Sequence, residues 1–195
     1  MIGIGLGLLG LVGCIPAPDE GTAVGNPTIL AMGLSDGEDV EFVSATGTAS
    51  VVRISSPEDI EILAHEKGVD LRADHSLTAR SGEWTALTME FRGGVTLSSA
   101  DLSRTIPLPD IVVVGQFSTV MDGPPLLLQF GGRRWIDDDM WRTGTLEEVA
   151  QLLAWGTALY TDRNGNFTLD VDEERAGELA CERCDLTSAG HDTGR

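Results

Sequence analysis

Between residues 28 and 131 the chain never sustains a helical period, and this most constrains what it can fold into. Short runs rich in β-branched, aliphatic or aromatic residues occupy 28–34, 40–45, 49–54, 60–64, 84–91, 95–98, 111–118 and 126–130. Ser35-Asp36-Gly37, Thr46-Gly47-Thr48, Ser81-Gly82, Arg92-Gly93-Gly94 and Asp122-Gly123-Pro124-Pro125 separate them, all sequences that favour turns. Leu87, Met89 and Phe91 alternate with Thr88 and Glu90, as in a half-buried strand, and Arg92-Gly93-Gly94 then predicts a hairpin into 95–98. Ile111-Val112-Val113-Val114 and Leu126-Leu127-Leu128 lack alternation, which predicts strands through the centre of the core. Many short strands without intervening long helices predict a mainly β fold, an antiparallel β-sandwich over 28–134.

The segment 135–187 changes character and is expected to form a small C-terminal helical appendix, followed by a flexible tail at 188–195. Thr145-Leu146-Glu147-Glu148 is a capping box, in which hydroxyl and carboxylate each satisfy a free backbone amide. It predicts a helix to about Tyr160 whose apolar face carries Leu146, Val149, Leu153 and Tyr160, with Leu152 and Leu159 beside it. Trp135, Trp141 and Trp155 read as core anchors, and Asp137-Asp138-Asp139 as a solvated acidic turn.

Residues 162–173 carry the sharpest chemical pattern. Asp162, Asn164 and Asn166 place side-chain oxygens at the first, third and fifth positions. Thr168 offers a backbone carbonyl at the seventh, Asp170 stands ninth and Glu173 twelfth. The run resembles the twelve-residue calcium loop of EF-hand proteins and dockerins, in which alternate residues of a curled loop turn their oxygens onto one hard cation. Leu169 holds the eighth place, where such loops have an inward aliphatic residue. The sixth place departs from the pattern: it is Phe167, where the family has glycine for a left-handed turn. The resemblance implies a weak, structural calcium site. The alternative is a plain Asn164-Gly165 hairpin turn, with strands at 158–161 and 167–171. For a calcium site, Asp162→Ala would be expected to remove the calcium effect while leaving the calcium-free melting point nearly unchanged.

Cys181-Glu182-Arg183-Cys184 allows a local disulfide, a three-ligand metal site with His191, a redox pair, or free or intermolecular thiols. A redox pair would place its first cysteine at a helix N-terminus, whereas these follow a helical stretch. In an oxidising compartment a Cys181–Cys184 disulfide is the simplest expectation.

The address is written in residues 1–14. Met1 to Gly13 is an uncharged apolar run with five glycines, about 20 Å long as a helix and too short for a hydrocarbon core of about 30 Å. It fits a secretory signal better than a membrane span, although no Lys or Arg precedes Arg53. Leu11-Val12-Gly13-Cys14 resembles the lipobox of bacterial lipoproteins, in which the signal is removed and the cysteine carries diacylglycerol and an amide-linked fatty chain. The resemblance implies a signal peptide at 1–13, lipidation at Cys14 and a lipidated tether at 14–27. The tether holds Pro16, Pro18 and Pro27 and looks like the segment after the lipidated cysteine in uncharacterised proteobacterial lipoproteins. Ile15 rather than Asp follows the cysteine, which by the same resemblance implies the outer membrane.

About 165 residues then remain, enough for one domain with its own core. The chain's 31 acidic against 13 basic residues leave it at −18, a charge that repels phosphate backbones and disfavours nucleic-acid binding. The chain lacks a His-Glu-x-x-His pair and a phosphate-binding glycine loop, and Asp74-His75-Ser76 is too local for a triad. The expectation is a lipid-anchored envelope module that binds, supports or adheres, with an unidentified envelope protein or glycan as partner. A periplasmic hydrolase or a calcium-dependent adhesion module is the alternative, the former requiring a cleft that gathers His65 or His75 with carboxylates.

Cys14→Ser is expected to abolish incorporation of a palmitate analogue and to release the protein from membranes or leave an uncleaved precursor, because stable anchoring needs more than one fatty chain. Metabolic labelling with fractionation tests this, and label persisting in the mutant would refute it.

Overall fold

The computed structural model describes residues 26–37, 39–72, 75–131 and 136–181. Cys14, Trp135, Cys184 and His191 lie outside them, as do the expected signal, the tail and nearly all of the tether. The fold is mainly β. Its strands are β1 (Thr28–Leu34), β2 (Ser44–Ser55), β3 (Ile60–Asp70), β4 (His75–Ala79), β5 (Gly82–Ser98), β6 (Ser103–Ile106), β7 (Ile111–Thr119), β8 (Leu126–Phe130), β9 (Ala158–Thr161) and β10 (Ala180–Cys181). Three helices are interspersed: α1 (Asp138–Thr143), α2 (Leu146–Trp155) and α3 (Val171–Ala176).

All ten strands belong to one hydrogen-bonded sheet of order β3-β2-β5-β7-β10-β9-β8-β1-β4, with β6 paired to β5. It curls nearly shut into a barrel. This differs from the expected pair of stacked antiparallel sheets, and one ladder, β1 with β8, is parallel. Long bent strands explain the difference. Thr46-Gly47-Thr48 and Arg92-Gly93-Gly94, which read as turns, lie inside β2 and β5, and the expected hairpin at Gly93 does not form. Gly47 pairs with Val95 and Thr48 with Arg92, so two residues of β5 bulge out of register. Gly93 and Gly94 take φ of 73° and 86°, and the glycines serve as a corner where the paired strands bend.

The barrel interior is one continuous core. Leu30, Met32 and Leu34 of β1, Val52 and Ile54 of β2, Leu87 and Met89 of β5, and Leu126, Leu128 and Phe130 of β8 meet there. Ile111 and Val113 point inward while Val112 is 37% exposed, so β7 alternates, contrary to the expectation of a strand buried on both faces. β8 does have all five residues buried, as expected.

Helices α1 and α2 pack into the same core. Asp137 caps α1, its carboxylate accepting from the Met140 amide at 2.7 Å, so the three aspartates start a helix rather than form a loose turn. Trp141 is fully buried and meets Phe42 edge-on, ring centroids 5.0 Å apart. Arg104 of β6 lies 5.5 Å from the Trp141 ring and donates to the Trp141 and Gly144 carbonyls at 2.5 and 2.6 Å. The Thr145–Glu148 capping box is present, and α2 buries Val149, Ala150, Leu153 and Ala154. It stops at Trp155 rather than Tyr160. A Cβ on Gly131 would lie 2.3 Å from the Gly156 carbonyl oxygen, so the end of β8 and the end of α2 touch through two glycines, after which the chain extends into β9.

The segment after residue 135 also supplies sheet. β9 and β10 fill the space between β8 and β7. Opposite them, β3 and β4 approach without a ladder: Lys67 Nζ donates to the Ser76 carbonyl at 3.4 Å, and Arg80 pairs with Asp59 and Glu61. The Arg142 guanidinium holds the Asp101 carboxyl below its usual pKa, and the Thr145 amide does the same for Glu148. With the folded values depressed, both contributions are present above the ordinary carboxylate range and fade as pH falls into it.

Gly94→Ala is expected to cost about 2 to 4 kcal/mol, combining left-handed strain with a clash, because its Cβ would lie 2.2 Å from the Ile106 carbonyl oxygen. Gly93→Ala meets nothing within 4 Å. It should cost only about 1 kcal/mol. Urea unfolding of the pair measures the difference, and equal midpoints would refute the corner assignment.

Candidate functional site

The 162–173 loop is densely hydrogen-bonded, and β9 delivers its first residue to the barrel wall. Asp162 is fully buried. Its amide donates to the Pro125 carbonyl at 2.9 Å, while its carboxylate accepts from the amides of Gly165 at 2.7 Å and Phe167 at 2.9 Å. Glu173, 3% exposed, accepts from the Arg163 amide at 2.6 Å and the Asp170 amide at 3.2 Å. The two buried carboxylates therefore fasten the loop at its start and its end.

Between them two Asx turns curl the chain. Asn164 Oδ1 accepts from the Asn166 amide at 3.0 Å, and Asn166 Oδ1 from the Thr168 amide at 2.8 Å. Both carboxamides donate to Asp170 Oδ2, at 2.5 Å from Asn164 and 3.0 Å from Asn166. Of the six expected ligand residues, Asn164, Asn166 and Asp170 are thus joined side chain to side chain, while Asp162 and Glu173 hold backbone amides of the same loop. Thr168 enters through its amide. Phe167 adopts φ of 59°, the left-handed conformation that glycine supplies at this place in the resembled loops.

The flanking elements differ from both sequence alternatives. A strand, β9, precedes the loop where a helix was expected, and residues 167–171 form no strand, so a hairpin is also wrong. The arrangement is strand, loop, helix, with Asp170 as N-cap of α3. Leu169 packs on a small cluster of Ala158, Tyr160 and Cys181, which ties the loop to the outer face of the sheet. Among the described residues no group of three or more His, Cys, Asp and Glu side chains could hold a metal ion. The loop's cluster mixes three carboxylates with two carboxamides. Cys181 is disulfide-bonded, and its expected partner Cys184 lies outside the described residues.

Beside the loop lies a cleft of about 560 Å³ that sequence reasoning missed. β1 carries the signal for it: in Leu30-Ala31-Met32-Gly33-Leu34 the large residues face inward and the small ones outward. Ala31 pairs with Ser76 of β4, and Gly33 with Gln129 of β8, so small side chains and one carboxamide floor a hollow on the outer sheet surface. Phe167, Thr168 and Leu169 form one wall; Ser35, Asp36 and Arg72 line the cleft elsewhere. Gln129, 8% exposed, donates from Nε2 to Ser35 Oγ at 2.8 Å. Arg72 bridges Asp36 at 3.2 Å and the Leu34 carbonyl at 3.1 Å.

His65 is exposed on β3 and does not line this cleft. The side chain of His75 and the whole of His191 lie outside the described residues. Among the described residues no helix is long and apolar enough to cross a membrane. No protein-family profile matches the chain, nor does any curated protein or solved structure.

Burial of the end carboxylates corrects the expectation that Asp162→Ala is silent without calcium. The substitution strands two backbone amides and is expected to cost about 2 to 4 kcal/mol in calcium-free buffer, against under about 1 kcal/mol for exposed Asn166→Ala. Thermal denaturation with a chelator present compares them, and equal melting points would refute the fastening role.

Proposed function

We propose that the protein is a lipid-anchored binding module of the cell envelope whose 162–173 loop takes calcium weakly, for structural ends. The observation that carries the calcium reading is the coincidence of two independent features. Oxygen-bearing side chains stand at the first, third, fifth, ninth and twelfth places, Asn164 and Asn166 bonded to Asp170 and the Asp162 and Glu173 carboxylates to loop amides, and the sixth place is left-handed even though it is Phe167. An L-residue there costs about 1 to 2 kcal/mol, so the turn is held by the carboxylates rather than by intrinsic preference. A hard cation takes oxygen ligands and suits such a loop. With three carboxylates and two neutral amides the affinity belongs in the extracellular range, tenths of millimolar to millimolar.

The anchor rests on Leu11-Val12-Gly13-Cys14, and the binding role on the cleft that the loop walls. Calcium in this arrangement would hold Phe167 and Leu169 in place on the sheet rather than act in chemistry. An outer-membrane address follows from Ile15 by the same resemblance. A stacked sandwich arrangement is not needed for this role, which asks only for a rigid wall under the loop. A hydrolase reading gains nothing from exposed His65.

Calcium at several millimolar is expected to raise the melting temperature, with little effect at micromolar concentrations, following the ratio of free ion to dissociation constant. Magnesium should substitute poorly because of its strict octahedral demand, and Glu173→Gln should remove the increment. Differential scanning calorimetry with both ions is the test; no shift with calcium would reduce the loop to a carboxylate-pinned turn.

A further inference from the structure

The geometry points to the cleft beside the loop as a binding site for a neutral carbohydrate ring, with Phe167 as its apolar platform and Gln129 as its principal polar contact. The inference rests on the binding-module reading and supplies its ligand class. Its volume of about 560 Å³ falls in the range of small-molecule sites.

Three observations select the ligand. Gln129 is nine-tenths buried on the floor of the cleft, and its Nε2 is committed to Ser35 Oγ while no acceptor bond to its Oε1 is found among the described residues. A buried carbonyl oxygen without a donor is costly unless a ligand or water supplies one. A sugar hydroxyl is such a donor, and it can also accept.

The electrostatics exclude anions. Arg72 is balanced by Asp36 at 3.2 Å, and the chain carries −18, so the site offers a matched donor–acceptor pair and no surplus positive charge. Polyols, which present donors and acceptors without net charge, fit this arrangement.

Phe167 supplies the third observation. Its backbone sits at φ of 59°, where glycine would be cheaper, yet a half-buried aromatic ring occupies the place and lines the cleft. Strain of this kind, kept where a ring borders a hollow, is the mark of a functional contact. An aromatic face carries negative potential that the C–H face of a pyranose meets well. On the floor Gly33 leaves room for the Gln129 carboxamide, whose Oε1 lies close to where a Cβ would be, so a ring packed on Phe167 would meet Gln129 rather than bare sheet.

The test is calorimetric titration of the full lipidated chain, in a detergent without a sugar headgroup and with several millimolar calcium. The probes are chitobiose, cellobiose, maltose and lactose, with sialyllactose as the anionic control. At least one neutral disaccharide is expected to bind with a millimolar or tighter Kd, and sialyllactose not to bind. Phe167→Gly and Gln129→Leu should each weaken the interaction about tenfold or more, equivalent to about 1.4 kcal/mol. Phe167→Gly removes the ring and relieves the turn, so it should keep or increase the calcium-dependent rise in melting temperature, which shows that the chain remains folded. No heat from any neutral probe, undiminished binding by Phe167→Gly, or equal binding of sialyllactose would overturn the inference. A calcium shift without sugar binding removes the carbohydrate site and leaves the calcium reading standing; sugar binding without a calcium shift does the reverse.

Discussion

The sheet holds together through β10. Among the described residues it contributes Ala180 and Cys181, and Cys181 pairs with both Val114 of β7 and Ala158 of β9, so the two parts of the barrel wall meet there. The fit depends on a missing side chain, since a Cβ on Gly115 would lie 2.3 Å from the Leu179 carbonyl oxygen and 2.8 Å from the Ala180 Cβ. Cys181 also carries a disulfide and a contact to Leu169 of the oxygen-rich loop. One short element therefore joins the wall, the covalent restraint and the candidate site.

From that seam the rest of the architecture follows. With β10 in place, β9 can present Ala158 and Tyr160 outward and deliver Asp162 to the wall, and the loop then folds back over the outer face. On the inner side the same strands complete a core that α1 and α2 join, with Trp141 inserted against Phe42. Truncating a buried side chain of this size typically costs about 3 to 5 kcal/mol, a large share of a domain's net stability. Inner packing and outer loop are thus two faces of the same few strands.

Much of this was legible in the sequence. The strand content, the capping box at Thr145 and the oxygen spacing of the loop all follow from local chemistry, and local chemistry is what a sequence displays directly. The sheet's closure was not legible. Glycine clusters at Gly47 and Gly93 carry the same composition whether they reverse a chain or bend a long strand, and only the partner strand decides. Short β9 was hidden because Leu159 and Tyr160 also fit the period of the preceding helix. The cleft was half-visible: the large–small alternation of Leu30 to Leu34 shows that small residues face outward, but that they face a loop more than a hundred residues away in sequence depends on the parallel register with β8.

The same parallel register has a kinetic consequence. β2, β3, β5 and β7 join through neighbouring segments, so half the wall can assemble from nearby chain. β1 can pair early with β4, but that pair joins the rest of the sheet only through β8, and the seam at β10 must wait for residue 181. Until then the half-wall presents its apolar concavity to solvent. Distant pairings of this kind close slowly, on timescales of about milliseconds to seconds, because loop entropy is lost before contacts compensate for it. A polypeptide with this order of events remains pliable for most of its synthesis and acquires its shape in one late step.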